Sequence, residues 1–383
     1  MEKKIPGRKS PEIIAELGTS HGGDPVKAAE LAAAAAEAGA DWIKCQIVFA
    51  AEILHPKTGK VALPGGAVSL YEAFRALERG PDFYENLKNE AENRGLRFLA
   101  SPFGPKSAAL LKELNPEAVK IASPELNYRA LLEETASWGL PLYLSAGVST
   151  LGDIEEALAL VRGASPPASP LAGAPDTGGS GAALTLLHCV TAYPAPPEDY
   201  NLRLIPRLAG IFGVSAGVSD HSLDPALVPV LAASLGAGAI EKHLCLSRKD
   251  PGLDDPIALD PADFGRMVRE VRRAARRTAL MEGPAVREEL SAEYGSALVE
   301  QTLGTGVKAL APSEAANYGR TNRSLHALRD IEAGETLGPD MFAVLRTEKI
   351  LRPGLHPRWE PFLAGRKART FIPAGEGIRF EDI

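Results

Sequence analysis

Cysteine is scarce: Cys45, Cys189 and Cys245 are the only three in 383 residues. They are odd in number, far apart and without a Cys-x-x-Cys pair. That pattern argues against a disulfide framework, and buried, reduced thiols in a cytosol are expected. No uninterrupted apolar run is long enough to span a bilayer, so no membrane span is expected. Positive charge is also in deficit, with 42 Lys and Arg against 49 Asp and Glu, a net of -7. Without a basic stripe, non-specific nucleic-acid binding is excluded. Met1 to Ser10 is basic and broken by proline, with no apolar core, and is not read as a signal peptide. No Gly-x-Gly-x-x-Gly turn follows the first predicted strand, which argues against a doubly wound dinucleotide fold.

What the chain does have is alternation. Short apolar runs predict strands at Glu12–Leu17, Trp42–Ile47, Arg97–Ala100, Ala118–Ile121, Leu142–Ser145, Leu184–Val190, Ile211–Val218 and Ala237–Ile240. Each is followed by a helical pattern, from Pro25–Ala38, where Asp24 is a good N-cap and Pro25 opens the helix, to Pro261–Leu280. Eight strand and helix pairs over about 280 residues predict an α/β protein with a (β/α)₈ TIM barrel. A long loop is expected around Leu63 to Leu70. Ser165 to Gly181, rich in Ser, Pro, Gly and Ala, reads as a surface insertion.

In such a barrel chemistry sits at the C-terminal ends of the strands. Those ends carry Glu16, Lys44 with Gln46, Ser101, Lys120 with Ser123 and Glu125, Ser145, His188, Ser219 to His221, and Glu241 with His243. Period-two alternation puts Lys44 and Gln46 on one face, and Glu241 with His243 on another. The last two strands end in Ser219-Asp220-His221 and Glu241-Lys242-His243. Parallel strands bring those ends side by side, so two imidazoles face one mouth beside carboxylates, a donor set for a divalent cation of the nitrogen- and oxygen-preferring kind. A histidine at a strand end can equally be a hydrogen-bonded structural residue, and that reading is kept for His188. A serine there can be a helix cap as readily as a ligand contact. Lys44 and Lys120, inside apolar strands, need anionic partners, because burying an ammonium alone is costly. Two lysines and several serines converging point to an anionic, phosphorylated substrate.

After Gly283 the pattern weakens into a link, 284–318, with a short helix expected at Arg287–Leu298. From Gly319 to Ile383 the texture turns to short strand-like runs. Ile331-Glu332-Ala333-Gly334-Glu335 recurs as Ile372-Pro373-Ala374-Gly375-Glu376, which predicts a pseudo-symmetric small β domain. That domain holds 11 basic and 9 acidic residues, a net of +2, leaving -9 on the remainder. The expected domains are therefore 1–283, a link at 284–318, and 319–383.

Several motifs together carry a resemblance. Ile14-Ala15-Glu16-Leu17-Gly18 with His21-Gly22-Gly23-Asp24, Asp41-Trp42-Ile43-Lys44-Cys45-Gln46, Ser101-Pro102-Phe103, Lys120-Ile121-Ala122-Ser123-Pro124-Glu125, Leu187-His188-Cys189 with Tyr193-Pro194, Ser219-Asp220-His221 and Glu241-Lys242-His243 stand in order. The chain resembles the sialic acid synthases, the N-acetylneuraminate synthase group. Asn322-Arg323-Ser324-Leu325 is similar to the start of that family's antifreeze-like (SAF) module.

The resemblance implies condensation of phosphoenolpyruvate with an open-chain N-acyl hexosamine aldehyde, giving a nine-carbon 2-keto sugar acid and phosphate. It implies manganese or magnesium held by His221 and His243, and a cytoplasmic, domain-swapped homodimer. For such a reaction Glu125 is the candidate base for a water, and Glu16 a candidate for positioning the sugar or handling its proton. Lys44, Lys120, Ser123, Ser145 and Ser219 would hold carboxylate and phosphate, with Gln46, Ser101, Tyr193 and Glu241 also at the substrate. Asp254 would contact the sugar, and Arg323 would reach over the partner's barrel. The chain departs from the family pattern at Thr191 and Ala258, where asparagine and serine are usual, and Thr347 to Arg352 reads as inserted. Acceptors of the legionaminate, pseudaminate or spore-coat type stay open. Two rivals remain: a metal-dependent or Schiff-base pyruvate aldolase using Lys120 as the amine, and a non-catalytic sugar-binding relative.

Overall fold

The computed structural model describes residues 10–63, 66–166, 184–348 and 350–383. Its strands are β1 (Glu12–Glu16), β2 (Trp42–Ile47), β3 (Lys60–Leu63), β4 (Gly66–Ser69), β5 (Arg97–Pro102), β6 (Ala118–Ile121), β7 (Leu142–Ser145), β8 (Leu184–Cys189), β9 (Ser215–Asp220) and β10 (Ala239–His243). Eight of these close a parallel barrel in the order β1-β10-β9-β8-β7-β6-β5-β2, with β2 paired back to β1. The remaining two, β3 and β4, form a hairpin where a plain loop was expected. The expected insertion falls, from residue 167 on, outside the described residues.

Helices cover the outside. Pro261–Ala279 shows why: Phe264, Met267, Val268, Val271 and Ala274 recur at helical spacing on its buried face. Asp260 caps its start by accepting from the Asp263 amide, and Arg276 and Arg277 lie in the last turn, where the helix dipole favours cations.

Two expected boundaries shift. Ile211 and Phe212 close the helix Leu204–Phe212, which Gly213 ends in a left-handed cap at φ 62°. The apolar run there spans a helix end, a cap and a strand, so composition alone placed the strand four residues early. At the other end, β10 continues through His243. The segment expected as a link carries two helices, Gly283–Tyr294 and Ser296–Leu303, whose Val286, Leu290, Val299 and Leu303 join the barrel's outer core.

The small domain contains β11 (Arg323–Ala327) and β12 (Phe342–Arg346), antiparallel, around a separate core that includes Leu325, Ile331, Val344, Ile372 and Ile378. The internal repeat is visible as pseudo-symmetry. Ile331 and Ile372 exchange backbone hydrogen bonds of 3.0 and 2.9 Å, and the two Ala-Gly-Glu turns both use left-handed glycines, Gly334 and Gly375.

Several histidines are buried in this framework, and burial keeps them neutral. It is the largest influence on each, pushing His21 and His326 down to about 4 and His188 down to about 3. Unfolded, each takes a proton near pH 6.5; folded, it does not. Stability is therefore intact above pH 6.5 and falls as pH drops toward the folded values, by about 1.4 kcal/mol per unit for each. The expected result is a melting temperature that falls between pH 7 and pH 5, with a shallower slope for His326→Gln. An equal slope in that variant refutes the assignment.

Candidate active site

The barrel interior is built in layers by the two-residue period of its strands. Ile14, Trp42, Leu99, Ala118, Tyr143, Leu187 and Ala239 pack together as an apolar floor. Two residues further along each strand stand Glu16, Lys44, Ser101, Lys120, Ser145, Cys189 and Glu241, all buried. The eighth strand, β9, has Gly217 at floor level and Ser219 above it. A Cβ on Gly217 would lie 2.1 Å from the Ala239 carbonyl oxygen, so only glycine allows β9 and β10 this approach. The polar layer is thus set by strand period, and it faces the C-terminal mouth.

Its charges are interlocked. Lys44 Nζ lies 2.9 Å from Glu16 and 3.3 Å from Glu241, and Lys120 Nζ lies 3.4 Å from Glu241. Ser219 donates to Glu241 at 2.8 Å, and Gln46 to Glu16 at 2.7 Å. Burial alone would raise the Glu241 carboxyl, but Lys120 and Lys44 hold it well below the usual range. Burial likewise opposes the charge on Lys44, and Glu16 with Glu241 outweigh it. For Lys120 burial wins and its ammonium is pushed below the ordinary lysine value.

His221 and His243 stand at the rim of this layer with ring centroids 5.6 Å apart, and Tyr193 stacks on His221 at 4.2 Å. Burial lowers the pKa of both imidazoles, which favours the neutral form that binds metals. The His221 Nδ1 pairs with the Val190 carbonyl at 2.9 Å, which leaves Nε2 as the donor atom. The His243 Nδ1 is buried with no hydrogen-bond partner among the described residues. Two neutral imidazoles fit a nitrogen- and oxygen-preferring divalent cation. Among the described residues no group of three or more His, Cys, Asp or Glu side chains is placed to hold a metal ion, so the donor set here is the histidine pair alone. His188 points to the opposite face from Cys189 and bonds the Tyr200 carbonyl, away from this pair.

Asp254 joins from the loop after β10. It accepts from the Thr19 amide and hydroxyl at 2.8 and 2.9 Å, and Gly18 at φ 50° leaves room for both Asp254 and His243. Ser123 accepts from the Gly147 amide at 3.0 Å. The hydroxyls of Ser101, Ser145 and Thr191 are buried without partners among the described residues. Unsatisfied buried polar groups are rare, and several around one mouth mark a place where a polar ligand belongs.

Glu125 lies just past β6. Its Oε1 receives Arg323 at 3.0 Å and Arg346 at 2.7 Å, while Oε2 has no partner among the described residues. Arg323 is fully buried and also donates to the Phe103 carbonyl at 2.6 Å. Within this one chain, Arg323 thus reaches over its own barrel. Sequence reasoning missed Arg346. It stands opposite Arg323 in the β11–β12 register, a pairing that only the turn geometry of the small domain reveals.

With the polar mouth, the paired imidazoles and the arginine-bearing cap defined, comparison with known proteins becomes decisive. Residues 31–282 match the NeuB family and residues 322–383 match the SAF domain. The chain belongs to the NeuB family. Its relatives include proteins named as pseudaminic acid, N,N'-diacetyllegionaminic acid and N-acetylneuraminate-9-phosphate synthases. The chain is 32% identical over 384 residues to the spore coat polysaccharide biosynthesis protein SpsE of Bacillus subtilis, covering 99% of this chain and 95% of that protein. The crystal structure of SpsE superposes with a TM-score of 0.76, covering 98% of this chain and 96% of that one. Identity is 30% to the pseudaminic acid synthase of Helicobacter pylori, covering 97% and 98% of the two chains. It is also 30% to the N,N'-diacetyllegionaminic acid synthase of Legionella pneumophila, covering 97% and 94%.

Proposed function

We propose that this NeuB family chain condenses phosphoenolpyruvate with the open-chain aldehyde of an N-acyl hexosamine, releasing phosphate and a nine-carbon 2-keto sugar acid. The observation that carries this reading is the buried layer in which Lys44 and Lys120 flank Glu241 beside Ser101 and Ser145, whose hydroxyls, like that of Thr191, have no hydrogen-bond partner among the described residues. A phosphate and a carboxylate need that combination of cations and donors.

The residues divide the work by position. Lys44, Lys120, Ser123, Ser145 and Ser219 hold the phosphate and carboxylate of phosphoenolpyruvate. Asp254, Tyr193, Gln46 and Glu16 position the sugar against the enol carbon. A divalent cation on His221 and His243 would supply Lewis-acid polarisation of the aldehyde oxygen. As the enol carbon attacks, positive charge grows at C2 of phosphoenolpyruvate. Glu125 presents its one free oxygen to take a proton from the water that adds there. Collapse of the tetrahedral adduct breaks the carbon to oxygen bond and expels phosphate. Arg323 and Arg346 hold Glu125 in place from the cap.

The physiological assembly in this reading is the domain-swapped homodimer that the family resemblance implies, in which Arg323 would make its barrel contacts across two copies. The compartment in this reading is the cytoplasm, in keeping with three buried free cysteines.

The test is a panel of N-acyl hexosamines with phosphoenolpyruvate, scored by phosphate release. Release that needs both substrates is expected, and its absence across the panel with manganese or magnesium refutes the reading. One observation favours the aldolase as a second reading: burial lowers the Lys120 pKa toward that of a nucleophilic amine. Borohydride trapping of free pyruvate on Lys120 would select it.

A further inference from the structure

Glu314 lies outside the barrel, between the helix Ser296–Leu303 and the small domain, yet its side chain is buried to 1% exposure. Its Oε2 accepts from the Val148 amide at 2.9 Å and the Thr191 amide at 2.8 Å, and its Oε1 from the Ala311 amide at 3.3 Å. Val148 follows β7 and Thr191 follows β8, so one carboxylate ties two adjacent strand-end loops together. Val148 is held at φ 43°, a left-handed conformation that a β-branched residue adopts only when its surroundings impose it.

Neighbouring side chains bind the same backbone. Lys308 donates to the Ala146 carbonyl at 3.3 Å, Asn317 to Thr191 at 3.4 Å and Asn322 to Val148 at 3.0 Å. Between these anchors sits Gly147, where an added Cβ would lie 2.1 Å from the Thr191 hydroxyl and 2.9 Å from that of Ser123. The backbone of the two loops is therefore packed directly against the hydroxyls assigned to the anion. The segment that holds it leads straight into Asn322 and Arg323 of the cap.

We propose that Glu314 is a positioning residue for the proposed condensation: it fixes the loops after β7 and β8 so that Ser145, Gly147 and Thr191 face the phosphoenolpyruvate anion beside Ser123 and Lys120. This rests on the function proposed above. Glu314 touches no reacting atom, and its influence falls on the anion end of the site, not on the sugar end at Asp254.

Steady-state kinetics of Glu314→Ala and Glu314→Gln against both substrates, with thermal unfolding in parallel, test this. The expected result for Glu314→Ala is a rise of about tenfold or more in KM for phosphoenolpyruvate, with KM for the sugar within about twofold, because charge-assisted bonds to two amides are lost. Glu314→Gln should recover most of that loss, since one amide oxygen still accepts from both N–H groups. If Glu314→Ala does not fold, Glu314→Gln decides alone, with a rise of about threefold confined to phosphoenolpyruvate. Unchanged KM for phosphoenolpyruvate, or equal shifts for both substrates that follow the melting temperature, overturns the proposal. A wild-type enzyme that releases no phosphate from phosphoenolpyruvate instead overturns the function on which it rests.

Discussion

His221→Ala and His243→Ala are each expected to lose at least about a thousandfold in kcat/KM, and each to lose manganese binding in the same measurement. The two effects go together because the rings are 5.6 Å apart and neither alone is a sufficient anchor. Stability behaves differently. His243 has an orphaned Nδ1, so truncation removes a buried group that was already unsatisfied. His221 gives up one bond to the Val190 carbonyl. Melting temperatures therefore drop by only a few degrees while turnover vanishes. Activity that persists in the variants, or in wild type stripped of divalent cations, refutes the metal assignment. Retained metal with lost activity moves these histidines to direct substrate contact.

That expectation could be framed from sequence because the barrel's polar layer follows strand period. Once Trp42, Lys44 and Gln46 are read as alternate residues of a strand, Lys44 must sit above Trp42 and below Gln46. The same step takes Ala239 to Glu241 to His243. What stayed hidden depends on contacts that period does not encode. Arg346 reaches Glu125 across 221 residues because β12 pairs with β11, and the antiparallel register fixes which residue stands beside Arg323. Glu314 is hidden for a similar reason. Its segment has no regular period, and its partners are backbone amides, which carry no sequence signature. The strand beginning at Ser215 was misjudged because Ile211 and Phe212 are as apolar as a strand while serving as a helix end.

The second large effect concerns the two lysines, which look equivalent in sequence and are not. Lys44→Met is expected to destabilise the fold by roughly 3–5 kcal/mol, because Glu16 and Glu241 then keep one cation between them in a buried site. Lys120→Met is expected to cost far less stability. Lys120 makes one ion-pair contact at 3.4 Å, whereas Lys44 makes two, at 2.9 and 3.3 Å. Its loss should appear in catalysis, as a rise of about a hundredfold or more in KM for phosphoenolpyruvate. The pH dependence separates them further. Glu241 is held below its unfolded pKa, so its pairing stabilises the fold above about pH 4.5, and that contribution fades as pH falls toward the depressed folded value. Each substitution removes one of the two cations that depress Glu241, and Lys120 is the stronger influence, so Lys120→Met should flatten the acid limb of the stability profile below pH 4.5 at least as much as Lys44→Met, despite its smaller overall cost. Urea denaturation across pH 3 to 7 measures both slopes. Equal losses of stability in the two variants would mean that the extra Glu16 pairing of Lys44 adds nothing to the fold, and the unequal roles assigned to the lysines would fail.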